Sequence, residues 1–213
     1  MANRRGRHDR TATRFLVAMS GAEAPVENVE PIVPVAMAGG GVTAEEDEGV
    51  CLVERCLQLA LATVLRSARA QIEVGAKAII VCEPVANTVF LSPRQLRSGS
   101  DIFDRFVLEP NRQVRALLEQ HGVDLIFHDC GELLTEMVRQ FAFELRPALI
   151  SLGSSRKLWE DAAVIPADIV LFGNVPTKTF YSDAAMPDEQ VEALTQELMA
   201  RNGGDRASTH SRL

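Results

Sequence analysis

The residues of this sequence best suited to chemistry are His128 and Cys130, in the stretch His128-Asp129-Cys130-Gly131 that follows the apolar run Asp124-Leu125-Ile126-Phe127. Side chains alternate along a strand, so His128 and Cys130 are expected to project together while Asp129 turns to the other face. An imidazole beside a thiolate is half of a tetrahedral zinc site. Gly131 lets the backbone turn sharply into a helix expected over 132–143, with Asp129 as its N-cap or as a support for the ligands. A plainer arrangement uses the same residues, a buried thiol next to a hydrogen-bonded imidazole. What decides between them is what else reaches the same place.

The elements that must position this pair repeat. Apolar runs at 78–83, 125–128, 148–151 and 169–172 alternate with helix-patterned stretches at 102–120, with an interruption at Pro110, then 132–143, 157–163 and 188–201. A further helical pattern, from Cys51 to Ile72 and stopped by Gly75, precedes the first run. Short strands that are apolar throughout and separated by helices predict parallel βα units covered on both sides. The polar residues then fall together: Glu83, His128, Cys130, Ser151 and Asn174 all come at or just past the carboxyl end of a strand. In a (βα) barrel those ends form one rim, which carries the active site. Glu83 is the candidate third metal ligand or nearby base, and Cys82 faces away from it, so only one of the two can serve. Ser151 and the turn Gly153-Ser154-Ser155 suit an anion at a helix start or simply cap that helix. Asn174 could bind substrate or fix the loop before Pro176. Lys178, Tyr181, Arg94, Arg97 and Arg105 suit an anionic ligand or ordinary solvation, and His121 suits a helix C-cap.

Composition narrows the class. The chain has 213 residues, 46% apolar and 24% charged, the proportions of a soluble globular domain. No apolar run approaches the ~18 residues of a membrane span, so no membrane association is expected. A net charge of −7 argues against nucleic acid. The four cysteines, Cys51, Cys56, Cys82 and Cys130, form no CxxC pair, which suits a reducing, cytoplasmic setting. Residues 1–49 divide into a basic segment with Arg4, Arg5, Arg7, Arg10 and Arg14, a solvated tail or an Arg-rich presequence, and a Pro, Gly and acidic linker in which Val33 to Met37 is a doubtful strand. Residues 50–202 are the expected domain and 203–213 a polar tail.

Taken in order, Glu83-Pro84, Phe90-Leu91-Ser92-Pro93, His128-Asp129-Cys130-Gly131 and Leu171-Phe172-Gly173-Asn174-Val175-Pro176 resemble the second half of the uroporphyrinogen decarboxylase superfamily. The His-x-Cys-Gly form is similar to that of its corrinoid-dependent branch, the methylcobalamin:coenzyme M type methyltransferases. The resemblance implies an α/β fold, a truncated TIM-type (βα)8 barrel with about four parallel βα units. It implies zinc held by His128 and Cys130 and by a further cysteine near the last strand, which has no counterpart past Asn174, so that Glu83 is the remaining candidate for a third ligand or a nearby base. It also implies methyl transfer from a corrinoid on a partner protein to a small thiol. Two alternatives follow from the same likeness: the metal-free decarboxylase of porphyrin biosynthesis, a lyase acting on a tetrapyrrole, and an inactive truncated member acting as a homo-oligomer or as a complementing subunit.

Overall fold

The computed structural model describes residues 45–202; the tail, presequence, linker and strand readings made for residues 1–44, and the polar tail at 203–213, lie outside them. The first helix, α1 (Glu48–Glu73), begins earlier than its apolar pattern suggests. Asp47 supplies the reason: its carboxylate accepts a hydrogen bond from Val50 N at 3.0 Å, and Glu48 opens the helix where the dipole favours an acid. Four strands follow, β1 (Ala78–Cys82), β2 (Asp124–Asp129), β3 (Leu149–Leu152) and β4 (Val170–Phe172). They form one sheet in sequence order, every pair parallel.

Helical segments connect them. Between β1 and β2 lie α2 (Pro93–Arg97), a π turn (Asp104–Leu108) and α3 (Glu109–Gln120). The π turn lies where the interruption at Pro110 is expected. A proline ring clashes with the carbonyl four residues back, and a widened turn at Asp104–Leu108 relieves that clash without ending the helix. Between β2 and β3, α4 (Thr135–Gln140) runs into a second π turn (Phe141–Leu145). This helix begins later than expected, and Asp129 is not its N-cap. The Asp129 carboxylate instead accepts from Gly131 N at 2.8 Å, and both the amide and the hydroxyl of Thr88 donate to Glu132 O, so residues 131–134 stay extended. The short α5 (Leu158–Asp161) joins β3 to β4, and α6 (Asp188–Asn202) follows β4.

Among the described residues the helices cover one side of the sheet, where cover on both is expected. Ile79, Leu125, Phe127, Ile150 and Leu152 point into a core shared with the helices. Phe141 stacks at 4.6 Å from Phe127 and 5.3 Å from Phe103 at its centre. The alternate residues form two rows across the sheet: Ile80, Ile126, Leu149 and Val170, then Cys82, His128, Ser151 and Phe172. Ile80, Val170 and Phe172 are exposed on this second face. A singly wound parallel sheet with helices outside and small apolar rows inside is the wall of a (βα) barrel, here four strands of one.

Replacing Phe141 by Ala should lower stability by about 3–5 kcal/mol, the usual cost of emptying an aromatic core position. The urea midpoint would show it, and an unchanged midpoint would mean the core is organised elsewhere.

Candidate functional site at the strand ends

The second inner row puts chemistry where β1, β2 and β3 end. Cys82 lies in register with His128, and His128 with Ser151. The Ser151 hydroxyl and His128 Nδ1 share a hydrogen bond of 2.9 Å. Ser151 is buried and His128 is half-buried, and that burial pushes the imidazole below its ordinary pKa, so the ring is neutral at pH 7. Its Nδ1 is occupied by the hydroxyl, which leaves Nε2 as the nitrogen for another task. Cys130 follows at the end of β2 and is exposed. The Cys82 thiol is held above its ordinary range by burial first, then by the neighbouring Cys130 and Glu83.

Glu83 belongs to a different set. Its backbone N–H donates to His128 O at 2.8 Å, but its carboxylate accepts from Asn111 Nδ2, on α3, at 3.4 Å. Asn111 is buried and also donates to Val107 O. Burial pushes the Glu83 carboxyl up to about 7, with Asn111 opposing. Asp129, fully buried, is pushed up in the same direction, by burial first and also by Glu83, against the Gly131 amide. Its Oδ2 has no hydrogen-bond partner among the described residues. The sheet therefore separates two thiols and an imidazole from two carboxyl groups that favour their neutral forms.

Two glycines permit this crowding. A Cβ on Gly153 would stand 2.6 Å from Cys130 O, and one on Gly131 would stand 2.5 Å from the Asn87 side chain. Asn174 takes the loop-fixing role of its two expected roles: its amide donates to Gly153 O at 2.7 Å and Arg156 O at 2.6 Å. Arg156, which the sequence did not single out, pairs with buried Asp161 and donates to Leu133 O, tying the β3 loop to the β2 loop. Its spacing to Asp161, across a four-residue helix, is the only signal the sequence offers. Asn111 was missed as well, being one polar residue among the charged ones of α3. Arg105 pairs with Glu54, Arg97 donates to Pro93 O, and Lys178 and Tyr181 are exposed. His121 closes α3, with its Nδ1 on Leu117 O.

The donors on the inner face, one imidazole and two thiols, are the set zinc prefers. Among the described residues, no three His, Cys, Asp or Glu side chains stand close enough to hold a metal ion as they are placed. A family profile, uroporphyrinogen decarboxylase (URO-D), matches residues 50–210. This chain belongs to the uroporphyrinogen decarboxylase family. Within it, the four parallel strands described above are a partial TIM-type barrel. No curated protein matches the chain. No helix among the described residues is long and apolar enough to cross a membrane.

Glu83 makes stability depend on pH. Its folded pKa of about 7 lies above its ordinary value of 4.5, so the folded chain holds this proton more tightly. Stability is therefore full below pH 4.5 and falls as the pH rises through 7, by on the order of 3 kcal/mol. Glu83→Gln should flatten this decline and be the more stable protein at pH 8, with little difference at pH 4.5. Urea midpoints across that range test it, and parallel curves for the two proteins would refute it.

Proposed function

We propose that this family member transfers a methyl group from a methylated corrinoid carried by a partner protein to a small thiol, with His128 and Cys130 as ligands of a zinc ion. The observation that carries the reading is His128 itself. It ends a strand on the inner face, is neutral at pH 7, has Nδ1 bound to Ser151, and keeps Nε2 for a metal. Metal-binding histidines are usually held in this way through their other nitrogen, which fixes the tautomer and the ring orientation. A metal-free decarboxylase has no use for the thiol two residues on.

Bound zinc would supply Lewis acidity, lowering the pKa of the acceptor thiol so that its thiolate exists at neutral pH. The chain's residues do the rest. Ser151 holds the imidazole, and Asn174 with Arg156 keeps the β3 loop in place beside Cys130. Glu83, whose carboxyl is held by Asn111 on the helix-covered side, keeps its own proton there, and the proton of the acceptor thiol leaves to solvent at the open face. A methylated corrinoid on the partner protein would supply the methyl group as an electrophile for that thiolate and keep the electron pair of its cobalt–carbon bond. Phe172, opposite Ser151 on β4, extends the row with an exposed apolar side chain.

Elemental analysis of the purified chain after dialysis tests the reading. About one zinc per chain is expected, and none in the double variant His128→Ala, Cys130→Ala. Loaded protein given methylcobalamin and a small thiol should form the thioether. Zinc-free protein, or equal zinc in both, would overturn the assignment.

A further inference from the structure

We propose that two copies of this chain close on each other, the β4 edge of each pairing in parallel with the β1 edge of its partner, so that four strands from each complete one eight-stranded (βα) barrel. The proposal stands on the sheet and not on the zinc reading above.

Both edges of the sheet are open among the described residues, since β1 and β4 have one neighbouring strand each. Along a parallel strand, successive residues turn their amide and carbonyl groups to alternate sides. Glu83 N donates to His128 O and Asp124 N donates to Lys77 O, so residues 77 and 83 face β2 and the groups of Ala78 and Ile80 turn outward. On β4, Val170 N donates to Ala148 O, which leaves the groups of Leu171 outward in the same way. Open edges of this kind are templates for another strand. The two edges match each other, because every strand runs in one direction. A second copy, turned about a two-fold axis along the barrel, brings its β1 to the first copy's β4 and its β4 to the first copy's β1. Four strands and four close at eight, a number whose interior the side chains fill, and two-fold pairing is the commonest closed symmetry.

The inner face asks for the same occupant. Ile80, Ile126, Leu149 and Val170 form one row of it, and bulky branched side chains are what fills a barrel interior. Among the described strand residues of this face, Asp124 at the start of β2 is the only acid or base apart from neutral His128. Exposure is concentrated on the edge strands: Ile80 is 58%, Val170 56% and Phe172 62% exposed, while Ile126 and Leu149 between them are partly buried. Leu52 and Leu59 are also exposed on α1, the helix that leads into β1. These five side chains present roughly 550 Å² per copy, so a pair brings together about 1,100 Å² before the strand edges are counted, at the size where specific interfaces begin. A charged partner finds little to hold on such a face, and a small ligand would leave both edges unpaired.

Sedimentation equilibrium of the full chain tests the pairing, and the expected mass is twice the 23.3 kDa of one chain. Ile80→Glu and Val170→Glu, on the two edge strands, should each weaken pairing by at least about 100-fold, because each buries an unmatched carboxylate in the closed barrel. Both replace side chains that are exposed in the single chain, and circular dichroism confirms that each variant is folded. Phe143→Glu, at a similarly exposed position in the outer helical layer, should remain paired. Hydrogen exchange reads the edges themselves: the outward amides of Ala78 and Leu171 should be protected in the wild type and exchange fast in Ile80→Glu and Val170→Glu. A monomeric wild type would overturn the proposal, whatever else covers the face. A pair that survives both edge substitutions, or whose Ala78 and Leu171 amides exchange freely, is joined by another surface and would overturn it too. Assemblies that grow beyond two chains would overturn the closed barrel.

Discussion

The parallel register of β1, β2 and β3 is the constraint on which the site depends. Pairing Ile80 with Ile126 and Ile126 with Leu149 fixes the next inner row as Cys82, His128 and Ser151. A slip of one residue would send His128 into the helix-covered core and bring buried Asp129 to the open face. The buried side holds the register in place, because Phe127 and Ile150 are fully enclosed there and Phe141 packs on Phe127. Chemistry on one face of the sheet is thus positioned by packing on the other. The glycines at 131 and 153 let the loops beyond the strands close up without moving the row.

The division between the faces also sorts the ionisable groups. Toward the helices, burial raises the proton affinity of both Glu83 and Asp129, Glu83 adds to the rise at Asp129, and neither pairs with a cation among the described residues. Toward the open face, burial keeps His128 neutral and Ser151 orients it. The neutral imidazole and the carboxyl groups that favour their protons thus lie on opposite faces of one sheet.

Much of this was legible in the sequence. Four apolar strands alternating with helices, the parallel order, and the rise of His128, Ser151 and Cys130 to one rim all follow from periodicity and from where polar residues interrupt it. The family was legible from short motifs, and a profile over residues 50–210 bears it out. What was not legible depended on tertiary contacts. Alternation says that Cys82 and Glu83 point apart, but only the register to His128 and the bond from Asn111 show which shares the imidazole's face. Asp129 reads as a helix cap because it stands just before a helical pattern, yet the local turn with Gly131 competes for the same carboxylate and wins. Apolar strands predict cover on both faces, and they cannot distinguish helices outside from a barrel interior. Asn174 reads as a substrate ligand or a loop residue and Arg156 is not singled out, while their role as loop ties is visible only once the β2 and β3 loops are seen side by side.

The central claim is the proposal that zinc binds at the end of β2 through the imidazole of His128 and the thiolate of Cys130. Zinc-edge X-ray absorption of the reconstituted chain tests it most directly. The account predicts a sulfur scatterer at about 2.3 Å and an imidazole nitrogen at about 2.0 Å, with one further sulfur when a small thiol is added. A first shell made only of oxygen and nitrogen, unchanged by thiol, would contradict it.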